Sequence, residues 1–134
     1  MINSCMKAFK ITICLLLFLN IISCSKMEES QIVGNYGIDK GILRDANVKI
    51  EEYTTLSLNE DNTFQLKNYK DEVRVNGRWE VIENINKEEV LIKFHYSSKQ
   101  ITALLKGTIF TFEYPNDFYN GRYRHLLYVK LSNN

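Results

Sequence analysis

The stretch "VRVNGRWEV" constrains the fold more than any other part of this chain. Val73, Val75, Gly77, Trp79 and Val81 alternate with Arg74, Asn76, Arg78 and Glu80. A helix would scatter those apolar residues around its axis, whereas a strand sends successive side chains to opposite faces, one dry and one wet. Gly77 stands on the apolar row without a side chain, which predicts a bulge, a bend or the close approach of another backbone. The same period returns in "VLIKFHY", with Val90, Ile92, Phe94 and Tyr96 on one face and Leu91, Lys93 and His95 on the other. In "TIFTFEY", Phe110, Phe112 and Tyr114 oppose Ile109, Thr111 and Glu113. In "YRHLLYVKL" the expected inward row is Tyr123, His125, Leu127, Val129 and Leu131.

Turn residues punctuate these runs at short spacing. "NEDN" (Asn59 to Asn62) separates "TTLSL" from "TFQL" as a four-residue hairpin loop, and "NINKE", "SSKQ" and "PNDFYNG" separate later runs. The single proline, Pro115, ends a strand and interrupts none. "DKGILRDANV" leaves room for one short helical turn, and no segment sustains a helical period over three turns. The expectation is an all-β fold: a small antiparallel meander barrel of about seven or eight strands, with a β-sandwich as the alternative.

Three local patterns extend that reading. "IVGNYGI", then "LSLNEDNTFQL", then "NGRWEV" resembles small bacterial lipocalin-like lipoproteins over roughly residues 32–96. The residues that carry the likeness are Gly34 and Tyr36; Leu56, Leu58, Asn59, Asp61, Thr63 and Phe64; and Gly77 and Trp79. It implies a meandering antiparallel barrel, usually of eight strands, with a central cavity. Two features depart from the family: Tyr36 stands where lipocalins carry tryptophan, and the mature chain is short for a ligand carrier. An eight-stranded barrel is just wide enough to be filled by its own side chains or to hold one small ligand. With this many inward aromatic residues, a filled interior is expected.

The N-terminal stretch "ITICLLLFLNIISCSK" addresses a different question. Its apolar run from Ile11 to Ile22 falls short of the about 20 residues that span a bilayer. Lys7 and Lys10, a short apolar core and a small residue at its end form a secretory signal. "IISC" (Ile21 to Cys24) resembles the lipobox of bacterial lipoproteins, which implies cleavage after Ser23 and lipidation of the Cys24 sulfur. Two or three acyl chains then make a stable membrane anchor. The alternative is an ordinary signal that ends beside a cysteine. The three cysteines are Cys5, Cys14 and Cys24, so the domain itself has neither disulfides nor thiolate zinc sites. The expected organisation is a signal peptide over 1–23, a lipidated cysteine and tether over 24–31, and one β-barrel domain over 32–134.

Removing residues 1–23 from 134 leaves 111, enough for one modest core. It also removes Lys7 and Lys10, so 17 basic against 16 acidic side chains become 15 against 16. That balance gives no support for nucleic-acid binding, which needs a basic face, and no nucleic-acid partner is expected. The expected partners are the membrane, through lipid on Cys24, and a small ligand or an envelope protein; the domain is expected to be a monomer without cofactor. Ser25 takes the place of the aspartate that, in the family, retains lipoproteins at the inner membrane. This points to the outer membrane, with the domain facing the periplasm or the surface.

Catalytic signatures are missing from the sequence. His95 and His125 fall in no metal-ligand spacing, and His95 shares a strand face with Lys93, as a solvated residue would. His125, on the expected inward row, is either a buried hydrogen-bonded histidine or a ligand contact. Glu51 and Glu52 would point to opposite faces of a strand, and Glu60–Asp61, Asp71–Glu72 and Glu88–Glu89 fall at turns. A non-enzymatic domain is expected. The candidate for recognition is "PNDFYNGRYR", where Phe118, Tyr119, Arg122, Tyr123 and Arg124 bring rigid aromatics and guanidinium groups together ahead of His125. The competing reading folds those aromatics back over the barrel. Two functions stay open: binding of a small molecule or envelope component, or a protein-interaction module of the inhibitor or assembly-accessory kind.

Overall fold

The computed structural model describes residues 26–39, 52–113 and 125–132. A short helical turn, α1 (Glu29–Ile32), leads into eight strands: β1 (Gly34–Ile38), β2 (Thr55–Leu58), β3 (Thr63–Lys67), β4 (Val73–Asn84), β5 (Glu89–Tyr96), β6 (Lys99–Lys106), β7 (Ile109–Glu113) and β8 (His125–Lys130). Each strand pairs antiparallel with the next, and β8 returns to pair with β1, closing a barrel in meander order. The all-β expectation holds, and closure decides for the barrel over the sandwich. A closed sheet leaves no unpaired edge.

The inward rows follow the alternation in β3, β5 and β7. In β5, Val90, Ile92, Phe94 and Tyr96 are buried while the residues between them are half-exposed. Cross-strand register then stacks the inward residues: Trp79 faces Phe94, Leu105 faces Phe110, and Phe110 faces Tyr128. In β4 the expected inward parity holds at Val75, Gly77, Trp79 and Val81, with Trp79 2% exposed, but not at Val73, which is 43% exposed on the outward row. Val73 pairs with Lys67 beyond the shift in register at Leu66, at the outer end of the wall.

β8 corrects one expectation. Its buried residues are Leu126 and Tyr128, whereas Leu127 and Val129 are half-exposed and Leu131 is 48% exposed. The row expected inward is the outer row at Leu127, Val129 and Leu131; the side chain of His125, expected on the same row, lies outside the described ones. "HLLYVK" is apolar at both parities, and Lys130 on the even row argued against that row facing inward. In the structure Lys130 sits at the barrel's end, its Nζ donating to the Gln31 carbonyl at 2.5 Å and standing 5.6 Å over the Tyr36 ring. A lysine can occupy an inward position there because its ammonium finds an oxygen and a ring face.

Aromatic side chains fill the interior. Tyr36, Phe64, Phe94, Phe110, Phe112 and Tyr128 are all fully buried. Their rings meet edge-on or tilted, at 4.7 Å for Tyr36–Phe110, 4.9 Å for Phe64–Phe94 and 5.3 Å for Phe94–Phe112. Those are the separations at which ring quadrupoles attract. Gly77 is the close approach predicted for it: a Cβ there would lie 1.9 Å from the His95 carbonyl oxygen and 2.8 Å from the Phe64 ring.

The barrel has two distinct ends. At the α1 end lie the turns 59–62, 85–88 and 107–108 and the end of β8. At the far end lie the turns 68–72 and 97–98, together with the strand ends that segments 40–51 and 114–124 connect. The helical turn suggested for "DKGILRDANV" falls almost wholly outside the described residues. Part of the segment expected as a tether, residues 24–31, packs on the barrel: Met27 belongs to the core cluster, and Glu28 and Gln31 form a capping box around α1. Met27 is the one apolar residue of "SKMEESQ", and the barrel's open end supplies the surface that buries it.

Candidate functional site

The polar tips of the inward Tyr36, Tyr128 and Trp79 are spent on the fold. Tyr36 Oη donates to the Ile32 carbonyl at 2.5 Å and so ties α1 to the barrel. Burial raises the Tyr36 phenol far above its ordinary value, so it stays a neutral donor. Tyr128 Oη donates to the Tyr53 carbonyl at 2.9 Å, and Trp79 Nε1 to the Asn59 carbonyl at 3.3 Å. Asn84 Oδ1 is the one buried side-chain polar atom without a partner among the described residues.

The sequence-derived candidates divide by place. Cys24, Phe118, Tyr119, Arg122, Tyr123 and Arg124 lie outside the described residues. His125 opens β8, its backbone in register with Glu113. Those two positions are where 114–124 joins the barrel, at the far end.

That end carries features the sequence reading did not single out. Asn68 organises the β3–β4 turn: its Oδ1 accepts from the backbone N–H of Lys70 at 3.0 Å and of Glu72 at 2.9 Å. Held on this turn, Tyr69 is 62% exposed, with Lys70 Nζ 5.5 Å over its ring. Beside it runs an open groove of about 320 Å³ lined by Val73, Arg74, Val75, Asn76, Tyr96, Ser97 and Lys99. A solvent-exposed tyrosine, an exposed valine and neighbouring cations are residue types suited to a protein or acidic surface. The signal was an aromatic set inside a polar turn, "KNYKDE", which alternation alone treats as loop.

The α1 end has a second groove, of about 450 Å³, lined by Ser30, Val33, Gly34, Thr108, Lys130, Leu131 and Ser132. Burial lowers the Lys130 pKa, yet its ammonium is committed to the Gln31 carbonyl and the Tyr36 ring, closing α1 onto β8. This is a structural clamp.

Acid–base candidates lie apart. His95 Nε2 is 2.8 Å from Glu80 Oε1 on the outer face, with side chains 41% and 56% exposed. That agrees with the solvated reading of His95. Glu60–Asp61, Asp71–Glu72 and Glu88–Glu89 sit at turns or strand starts. Hydrogen bonds from the Thr63 hydroxyl and backbone hold the Asp61 carboxyl below its ordinary pKa, and an ion pair with Lys106 at 2.6 Å does the same for Glu89. Among the described residues, no three His, Cys, Asp or Glu side chains gather as a metal would need.

The eight-stranded antiparallel meander is consistent with a lipocalin-like fold. No protein-family model matches the chain, nor does any curated protein or solved structure, so that likeness is one of architecture.

Proposed function

We propose that this chain is a non-enzymatic binding domain of the bacterial envelope, anchored by lipid on Cys24, that captures a protein partner with the far end of its barrel. The observation that carries this reading is the packed aromatic interior, whose Tyr and Trp polar tips bond to the protein's own carbonyls. A carrier needs apolar volume and a few polar groups aimed into it. Here the described interior is occupied by side chains, so recognition falls to the outside. Tyr69 and the groove lie at that end, where the segment 114–124, which holds the candidate residues Phe118, Tyr119, Arg122, Tyr123 and Arg124, leaves β7 and enters β8.

A second reading keeps a small ligand, on the strength of the Arg74–Lys99 groove, whose about 320 Å³ would accommodate a small anionic molecule. Native mass spectrometry of a version starting at Ser25, exported to the periplasm of its host, separates the two. A co-purifying envelope protein supports the interaction module, provided that Tyr119→Ala with Arg122→Ala abolishes its capture and leaves the melting temperature unchanged. An added mass of a few hundred daltons, lost with Arg74→Ala, would replace it with the small-ligand reading.

A further inference from the structure

We propose that the α1 end of the barrel is its membrane face, with Ile85, Ile109 and Leu131 resting in the interfacial layer of the bilayer and the far end turned away from it. The proposal rests on the lipid-anchor reading of Cys24 and adds an orientation that lipidation alone does not supply.

The argument begins with chain length. Met27 is 8% exposed and part of the core. Only Ser25 and Lys26 separate it from Cys24. Three residues reach about 11 Å at full extension, little more than one headgroup layer of a bilayer whose hydrocarbon core is about 30 Å. A longer linker would let the domain tumble; this one holds it by the end where α1 meets β1.

The surface at that end suits the location. The described residues include six exposed large hydrophobic side chains. Four of them, Ile82, Ile85, Ile109 and Leu131, belong to the β4–β5 hairpin, the start of β7 and the residue after β8. Backbone bonds join these pieces into one arc of the rim: Lys130 N–H donates to the Thr108 carbonyl at 2.8 Å, and Gly107 N–H to the Glu88 carbonyl at 2.7 Å. The arc carries these apolar side chains alongside exposed Lys87 and Glu88 and the Lys106–Glu89 pair. That mixture fits the headgroup zone and would not enter hydrocarbon. The eight residues of β5, at about 3.3 Å each and a tilt near 40°, put the far end roughly 20 Å further out.

The test uses the mature lipoprotein in vesicles of phosphatidylglycerol and phosphatidylethanolamine that carry a headgroup nitroxide. Because the Cys24 sulfur is a thioether once lipidated, a new cysteine takes a fluorescent label uniquely. Ile85→Cys and Lys87→Cys label the α1 end; Tyr69→Cys and Ser97→Cys label the far end. The expected result is quenching at 85 and 87 several-fold stronger than at 69 and 97. Equal quenching at all four, or stronger quenching at 69 and 97, overturns the orientation while leaving the anchor in place. An intact mass lacking diacylglycerol on Cys24 overturns the anchor, and the proposal with it. Two positions at each end keep the comparison available if one variant fails to fold.

Discussion

The two ends of this barrel are built by different kinds of interaction. The α1 end is closed by contacts between elements: Tyr36 of β1 ties down α1 at Ile32, and Lys130 of β8 reaches across to Gln31, 99 residues away in sequence. The described turns of the far end are shaped by local chemistry: Asn68 bonds the N–H groups of its own turn, and Ser97 and Ser98 supply a tight hairpin. Tyr69 on the far rim can therefore change without disturbing the core, whereas Tyr36 and Lys130 at the α1 end cannot. That difference is what a recognition surface on a rigid scaffold requires.

The sharpest way to break the contrast is through the wall that both ends share. Gly77→Ala drives a Cβ into the His95 carbonyl, and the wall has no slack to absorb it. The expected cost exceeds about 4 kcal/mol, enough to unfold much of a small domain. Gly107→Ala is the control: φ is +58° but nothing lies within 4 Å, so only about 1 kcal/mol of backbone strain is expected. Chemical denaturation of the two variants checks both numbers.

Next in size are the contacts that close the α1 end. Tyr36→Phe strands the buried Ile32 carbonyl at an expected cost of about 1–2 kcal/mol, and Lys130→Met, which leaves the exposed Gln31 carbonyl to water, is expected to cost less than about 1 kcal/mol. Both should speed amide exchange at Val33, whose N–H bonds the Glu29 carbonyl. Tyr69→Ala at the far end, by contrast, should move stability by less than about 0.5 kcal/mol while weakening partner capture. Equal losses of stability at the two ends would erase the distinction.

Turn replacements sharpen it further. Ser97 and Ser98 hold φ of 43° and 64°, the positive-φ pair that Asn-Gly adopts more easily in a two-residue hairpin. Ser97→Asn with Ser98→Gly is expected to stabilise by roughly 1 kcal/mol, a rise of several degrees in melting temperature.

The smallest effect concerns acid. Asp61 has a folded-state pKa below its unfolded value because Thr63 bonds its carboxylate. Its contribution is complete above about pH 4 and is lost as pH falls through the folded value. Asp61→Asn should therefore lower stability slightly at neutral pH and flatten the acid limb of the stability profile. An unchanged limb would mean that the carboxylate does nothing for the β2–β3 turn.

Much of this architecture was legible before any coordinates. Period two in "VLIKFHY" and "TIFTFEY", the "NEDN" and "SSKQ" turns and the bare Gly77 led to an antiparallel meander, because strand faces and turn chemistry are local properties. β6 was harder: "KQITALLK" puts Leu104 outward between inward Ala103 and Leu105, so small and large apolar residues mask the period. The candidate site was legible in part. Aromatic and arginine content led to 114–124, which lies outside the described residues, whereas Tyr69 and its groove needed the β3–β4 turn to be brought beside the end of β5.

What the sequence by itself determined is the class of fold, the inward rows of the strands whose opposite face is polar, and the exclusion of thiolate chemistry from the domain. Tertiary structure decided the rest. β8 is apolar on both faces, so its inward row was chosen by pairing, with Leu126 and Tyr128 opposite Phe112 and Phe110. Met27 looked like part of a polar tether until closure of the barrel offered a surface to bury it. Strand periodicity reports which side chains share a face; only closure of the sheet determines which of two equally apolar faces becomes the inside.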